Sequence, residues 1–132
     1  MPNNAVLVEL HVPDFAKAES FYKLFGFQVV RAEKNYRVLK SGETLLCFYG
    51  GTTDVSKHSY FKDYPADTKR GYAVEVILFV EDVKSLYQQV KDHVKVVASL
   101  QVRLWGVYDF RVEDPFGYYL RVSEHYDIEN IV

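Results

Sequence analysis

The chain is 132 residues long, 48% hydrophobic and 26% charged, with four prolines and a formal net charge of -2. That length is about one domain, enough to bury a core without staples, and the composition excludes a disordered chain. The near-neutral balance, lacking a clustered basic surface, argues against nucleic acid, and the lone cysteine, Cys47, excludes an internal disulfide and makes a cytoplasmic protein the expectation.

The first residues, MPNNAVLVELHVP, lack a basic n-region, and Glu9 and His11 interrupt the apolar run. Neither a signal peptide nor a membrane span is expected there. From Val6 to Val12, apolar Val6, Val8, Leu10 and Val12 alternate with Leu7, Glu9 and His11, which predicts a strand with one apolar and one mixed face. Asp14 fits an N-cap; Phe15, Ala18, Phe21, Tyr22 and Phe25 follow at helical spacing, and Gly26 fits the left-handed stop. Short strands are predicted at 27–31, 36–40 and 44–49, the last two joined through Ser41-Gly42. The first half therefore reads βαβββ.

The pattern restarts at Tyr72. Val74, Val76, Leu78 and Val80 alternate with Glu75, Ile77 and Phe79, and Asp82 caps a helix with the apolar stripe Val83, Leu86, Tyr87, Val90 and Val94. A weak strand near 94–99 follows, then a hairpin from Trp105 to Ser123 around the turn Asp114-Pro115-Phe116-Gly117. Superposing Asp14 on Asp82 sets VELHVPDF against VILFVEDV without a gap, and superposing Gly42 on Gly117 sets ETLLCF against YYLRVS. Two copies of one βαβββ unit are present, too few for a solenoid. Between them Gly50 to Arg70 is long for a loop, and reads equally as a solvated linker or a lid carrying Phe61 and Tyr64.

Paired βαβββ units, Pro13-Asp14-Phe15 with Tyr22 opening the first helix, Leu24-Phe25-Gly26-Phe27 closing it, and the Asp-Pro-x-Gly hairpin at 114–117 together resemble the vicinal oxygen chelate superfamily. This group includes glyoxalase I, extradiol dioxygenases, fosfomycin resistance enzymes and bleomycin resistance proteins. The resemblance implies one α+β domain over 1–132, with repeat one at about 5–50, a loop at 51–71 and repeat two at about 72–125. Each repeat would form a curved four-stranded mixed sheet with one helix on its convex face, and the two sheets would close around a cavity, often across a homodimer.

In metal-using members, ligands lie on the cavity face of the first and last strands of each unit. Counting from the capping Asp and the hairpin Gly places Leu7, Leu46, Glu75 and Arg121 at those positions. Two lack donors and a third is a permanent cation, so no metal is expected. His11 lies roughly 13 Å from Leu7 at strand rise and does not replace the missing ligand. Glu75, an isolated charge in an apolar run, is expected to pair with Arg121 on the neighbouring strand. Alternation then assigns Glu9, His11, Phe48, Tyr119 and Arg121 to the cavity wall, and Trp105 and Tyr108 to its mouth.

The ligand-binding residues expected are therefore Glu9, His11, Phe48, Glu75, Trp105, Tyr108, Tyr119 and Arg121, with no catalytic or metal-binding residue and no cofactor. The chain shows no Ser-His-Asp arrangement, no paired carboxylates on one strand face and no Gly-rich phosphate loop. The expected function is metal-independent binding of a small aromatic or cationic molecule in a homodimer cavity, in the manner of the antibiotic-sequestering bleomycin resistance proteins. The alternative is a lyase or dioxygenase holding its metal through Glu75, Glu9 and His11. A metal-free enzyme using Glu75 or Glu9 as a base is a third reading.

Overall fold

Alternation along the first strand decides how the amino-terminal half is built. In β1 (Glu9–Val12) Leu10 and Val12 are buried, and α1 (Phe15–Lys23) covers their side of the sheet with Phe15, Ala18, Phe21 and Tyr22. The larger of these side chains each contribute about 1.5–3 kcal/mol on leaving water. The Asp14 carboxylate accepts from Lys17 N at 3.0 Å to start the helix, and Gly26, at φ +93°, turns the chain out of it. The strands β2 (Gln28–Glu33), β3 (Tyr36–Ser41) and β4 (Thr44–Gly50) complete a sheet ordered β1-β4-β3-β2, in which only the β1–β4 pair is parallel. The computed structural model describes residues 6–50, 57–65 and 68–130, which divide into two units, Met1–Thr68 and Lys69–Val132.

The second unit repeats the plan. β5 (Glu75–Val80), α2 (Val83–Val90), β6 (Lys95–Val102), β7 (Tyr108–Glu113) and β8 (Tyr119–Glu124) form a sheet ordered β5-β8-β7-β6 with β5 parallel to β8. Asp82 caps α2 by accepting from Ser85 N at 3.1 Å. Phe110, Val112, Leu120 and Val122 are buried on the helix side, where Phe110 meets Tyr87 with ring centroids 5.0 Å apart. The expected α+β architecture of two βαβββ units, each a mixed sheet with one helix, is what the structure shows. Among the described residues no helix is long and apolar enough to cross a membrane.

Several local expectations are corrected. Val6, Leu7 and Val8 lie exposed ahead of β1, so the first strand starts at Glu9. The run from Tyr72 is not one strand: Ala73 adopts φ +63° and Val74 N donates to Gly71 O at 2.9 Å, a turn that delays β5 to Glu75. Gly71 is required in that turn, because a Cβ there would lie 2.5 Å from Tyr118 Cδ1. β6 extends to Val102, three residues beyond the weak strand expected at 94–99.

The largest correction concerns which way β4 faces. Phe48 is fully buried with its ring 5.1 Å from that of Tyr22, so it and Leu46 point at the helix, while Cys47 and Tyr49 point the other way. The cause is turn length. Ser41 pairs with Thr44 across the two residues Gly42 and Glu43, whereas Glu113 pairs with Tyr119 across residues 114–118. Superposing the two hairpin glycines therefore slips the register by one residue, and a one-residue slip exchanges the faces. Strand pairing makes Cys47, opposite Glu9, the counterpart of Arg121, opposite Ile77.

Candidate functional site

In the carboxy-terminal unit, the sheet face turned away from α2 is lined by charges. Asp109 and Arg111 alternate with Phe110 and Val112 along β7, so burying the apolar pair on the helix turns the charged pair outward. Arg111 is registered directly opposite Arg121 of β8. Two adjacent guanidiniums repel unless carboxylates separate them. Here Glu75 Oε1 lies 2.8 Å from Arg121 Nε and 3.4 Å from Arg111 Nη1, while Asp109 Oδ1 lies 3.6 Å from Arg111 Nε and 2.6 Å from Arg103 Nε. The result is an alternating row: Arg103, Asp109, Arg111, Glu75, Arg121. Asp109 is 0% exposed, a burial its charge tolerates only through those partners.

Aromatic groups flank the row. Tyr119 OH accepts from Arg111 Nη1 at 3.0 Å, Tyr126 OH from Arg121 Nη1 at 3.5 Å, and the Arg121 guanidinium lies 5.7 Å from the centroid of the Trp105 ring. Trp105 sits in the β6–β7 turn, closed by Arg103 N donating to Val107 O at 2.8 Å and Gly106 N to Arg103 O at 2.9 Å. Burial disfavours the charge on Arg111, but the Tyr119 hydroxyl and the Asp109 carboxylate outweigh it and raise its pKa.

The amino-terminal unit carries a different cluster on its open face. Glu9 Oε2 accepts from Tyr36 OH at 2.7 Å, and its Oε1 lies 3.8 Å from His11 Nε2. Burial, then hydrogen bonding to Glu9 and to the Cys47 thiol, pushes the Tyr36 phenol well above its ordinary pKa of 10.0. The His11 ring has Tyr49 at 5.1 Å, His58 at 5.0 Å and Phe61 at 5.4 Å, centroid to centroid. His58 Nδ1 accepts from Tyr60 N at 3.0 Å and Phe61 N at 3.3 Å, fixing the short helical turn Phe61–Asp63 beside His11.

Of the residues expected from sequence, Glu75, Trp105, Tyr119 and Arg121 come together in the second unit, and Glu9 and His11 share a face in the first. Phe48 does not belong with them: it is core beneath α1. Tyr108 is likewise turned to the helix side, where Lys84 Nζ lies 4.1 Å from its ring centroid, because it alternates in phase with Phe110. Sequence reasoning passed over Tyr36, Cys47, Tyr49 and His58, and also Arg103, Asp109, Arg111 and Tyr126. The charges of β7 were within reach, since their alternation with Phe110 and Val112 is plain and the sheet order sets β7 beside β8. Arg103 carried no signal, as its place depends on the turn that follows.

The donor set does not fit a divalent metal. Among the described residues no three His, Cys, Asp or Glu side chains gather to hold one. Glu75, the carboxylate at a position that the resemblance assigns to a metal ligand, is engaged by two guanidiniums that would repel a cation, and Leu7 offers no donor.

A family model described as the Glyoxalase/Bleomycin resistance protein/Dioxygenase superfamily matches residues 5–122. The chain belongs to this superfamily. Similar solved structures include a hypothetical protein from S. aureus, at 23% identity and TM-score 0.72 over 95% of this chain and 96% of that one. A bleomycin-binding protein complexed with bleomycin matches at 20% identity and TM-score 0.62, over 94% of this chain and 100% of that one. A lactoylglutathione lyase from Agrobacterium tumefaciens matches at 20% identity and TM-score 0.67, over 94% and 96%. At these identities the likeness is one of fold. No curated protein shows significant similarity in sequence.

Proposed function

We propose that the chain is a metal-independent small-molecule-binding protein that sequesters a flat organic ligand, acting as a homodimer in the cytoplasm. The observation that carries this reading is the Glu75 carboxylate, held 2.8 Å from Arg121 and 3.4 Å from Arg111 at a position where metal-using relatives place a ligand. An ion pair there supplies hydrogen bonds and shape in place of a Lewis acid. Trp105, Tyr119 and Arg121 provide stacking and polar contacts of the kind that hold aromatic ligands. The bleomycin-binding relative, which shares the fold, is complexed with an organic molecule, and sequestration needs no nucleophile.

A thermal-shift screen of the purified chain in the presence of a chelator, against aromatic antibiotics and planar organic ions, tests the reading. A ligand that binds the folded state raises the melting temperature by mass action. At least one planar compound is expected to do so without added metal. Stabilisation that appears only when Zn, Ni, Fe or Mn is supplied would overturn the proposal.

A further inference from the structure

Among the described residues, four buried side-chain atoms, all in the carboxy-terminal unit, have no hydrogen-bond partner: Arg103 Nη2, Trp105 Nε1, Asp109 Oδ2 and Arg111 Nε. Buried polar atoms without partners are rare in folded proteins, and each calls for an explanation. Their types are unbalanced, three donors against one acceptor. Arg103 Nε already lies 2.6 Å from Asp109 Oδ1, and a carboxylate meets the Nε–Nη2 edge of a guanidinium with both oxygens. A small rotation therefore joins Arg103 Nη2 to Asp109 Oδ2 and removes those two atoms from the account. Trp105 Nε1 remains without an acceptor, and Arg111 Nε faces only Asp109 Oδ1 at 3.6 Å, beyond hydrogen-bond distance.

The charge of the row is unbalanced in the same direction. Three guanidiniums, Arg103, Arg111 and Arg121, face two carboxylates, Asp109 and Glu75, leaving one positive charge in excess. A single chemical group answers both shortages: an oxyanion, bringing one negative charge and two acceptor oxygens. The Arg121 guanidinium 5.7 Å from the Trp105 ring places a cation beside an aromatic surface, and Tyr119 and Tyr126 hydrogen-bond the same guanidiniums. A flat ring bearing the oxyanion has both its charge and its face provided for.

We infer that the open face of the carboxy-terminal unit selects planar aromatic monoanions, aryl carboxylates being the plain case, over neutral or cationic rings of the same shape. This rests on the ligand-binding reading above, narrows it, and reverses the sign of ligand charge expected from the sequence. The decisive comparison titrates the full chain, by calorimetry in chelator, with naphthoate, naphthamide and naphthylmethylammonium, which share a ring system and differ in charge. Naphthoate is expected to bind at least about ten-fold tighter than the amide, the range of one charge-assisted hydrogen bond, and to weaken as salt is raised.

Trp105→Phe keeps a ring and removes the indole N–H. It is expected to cost naphthoate about ten-fold in affinity and naphthamide less, because a neutral carbonyl makes the weaker hydrogen bond to the same N–H. The charge series on the unaltered protein stands even if this variant misfolds. Equal or tighter binding of the amide or the ammonium overturns the anion inference while ligand binding itself stands. Silence of all three probes also overturns the anion inference, and the ligand-binding reading is then judged by its own screen.

Discussion

Glu75 shows how much one side chain decides. It is the carboxylate between Arg111 and Arg121, which strand pairing otherwise sets directly opposite each other. Glu75→Gln keeps the shape and leaves the two guanidiniums unseparated. The expected loss is about 1 kcal/mol, modest because the carboxylate is roughly a third exposed; urea unfolding reads it, and added salt should narrow the difference by screening. Tyr36 makes a pH prediction. Its pKa in the fold is raised above 10.0, mainly by burial, so the stability it contributes is complete below pH 10 and is lost as pH rises beyond it. Wild-type protein should therefore lose stability more steeply above pH 10 than Tyr36→Phe, with denaturant midpoints measured at each pH. At this scale the Glu75–Arg121 pair was legible, because one isolated charge on an apolar strand calls for a partner on the next. Arg103 and Asp109 were not, since their meeting depends on the β6–β7 turn.

Elements were read more securely than their faces. Both helix starts were visible as Asp14 and Asp82, and both carboxylates accept from a backbone N–H in the first turn. Asp82→Ala should cost about 1 kcal/mol of stability, measured by chemical denaturation. The turn ahead of β5 was hidden within an apolar run, because nothing in Tyr72-Ala73-Val74 signals that Ala73 takes φ +63°. A residue with a Cβ is strained in that region, so Ala73→Gly should raise stability by about 1 kcal/mol, an uncommon gain for glycine, and a higher melting temperature would show it. Phe48 and Leu46 were assigned the wrong face because the two hairpins carry turns of different length, and side-chain direction reverses with each residue of slip. Tyr108 was misplaced for a related reason: its aromatic character suggested a ligand contact, while its phase with Phe110 sets it on the helix side.

For the whole molecule, repetition was the strongest signal. Two βαβββ copies could be read from capping aspartates, helical stripes and hairpin glycines, and the family match over residues 5–122 agrees with that reading; the parallel pair between first and last strands of each copy is what the structure adds. Function is less legible because relatives of this fold do unrelated work, and the side chains that separate them are few. The proposed function rests on an ion-paired carboxylate, Glu75, at a position that the family resemblance assigns to a metal ligand. The most direct test is elemental analysis of the full chain after incubation with Zn, Ni, Fe and Mn and removal of unbound ions. The account predicts substoichiometric metal in every case; one equivalent retained per chain, and lost on Glu75→Gln, would contradict it.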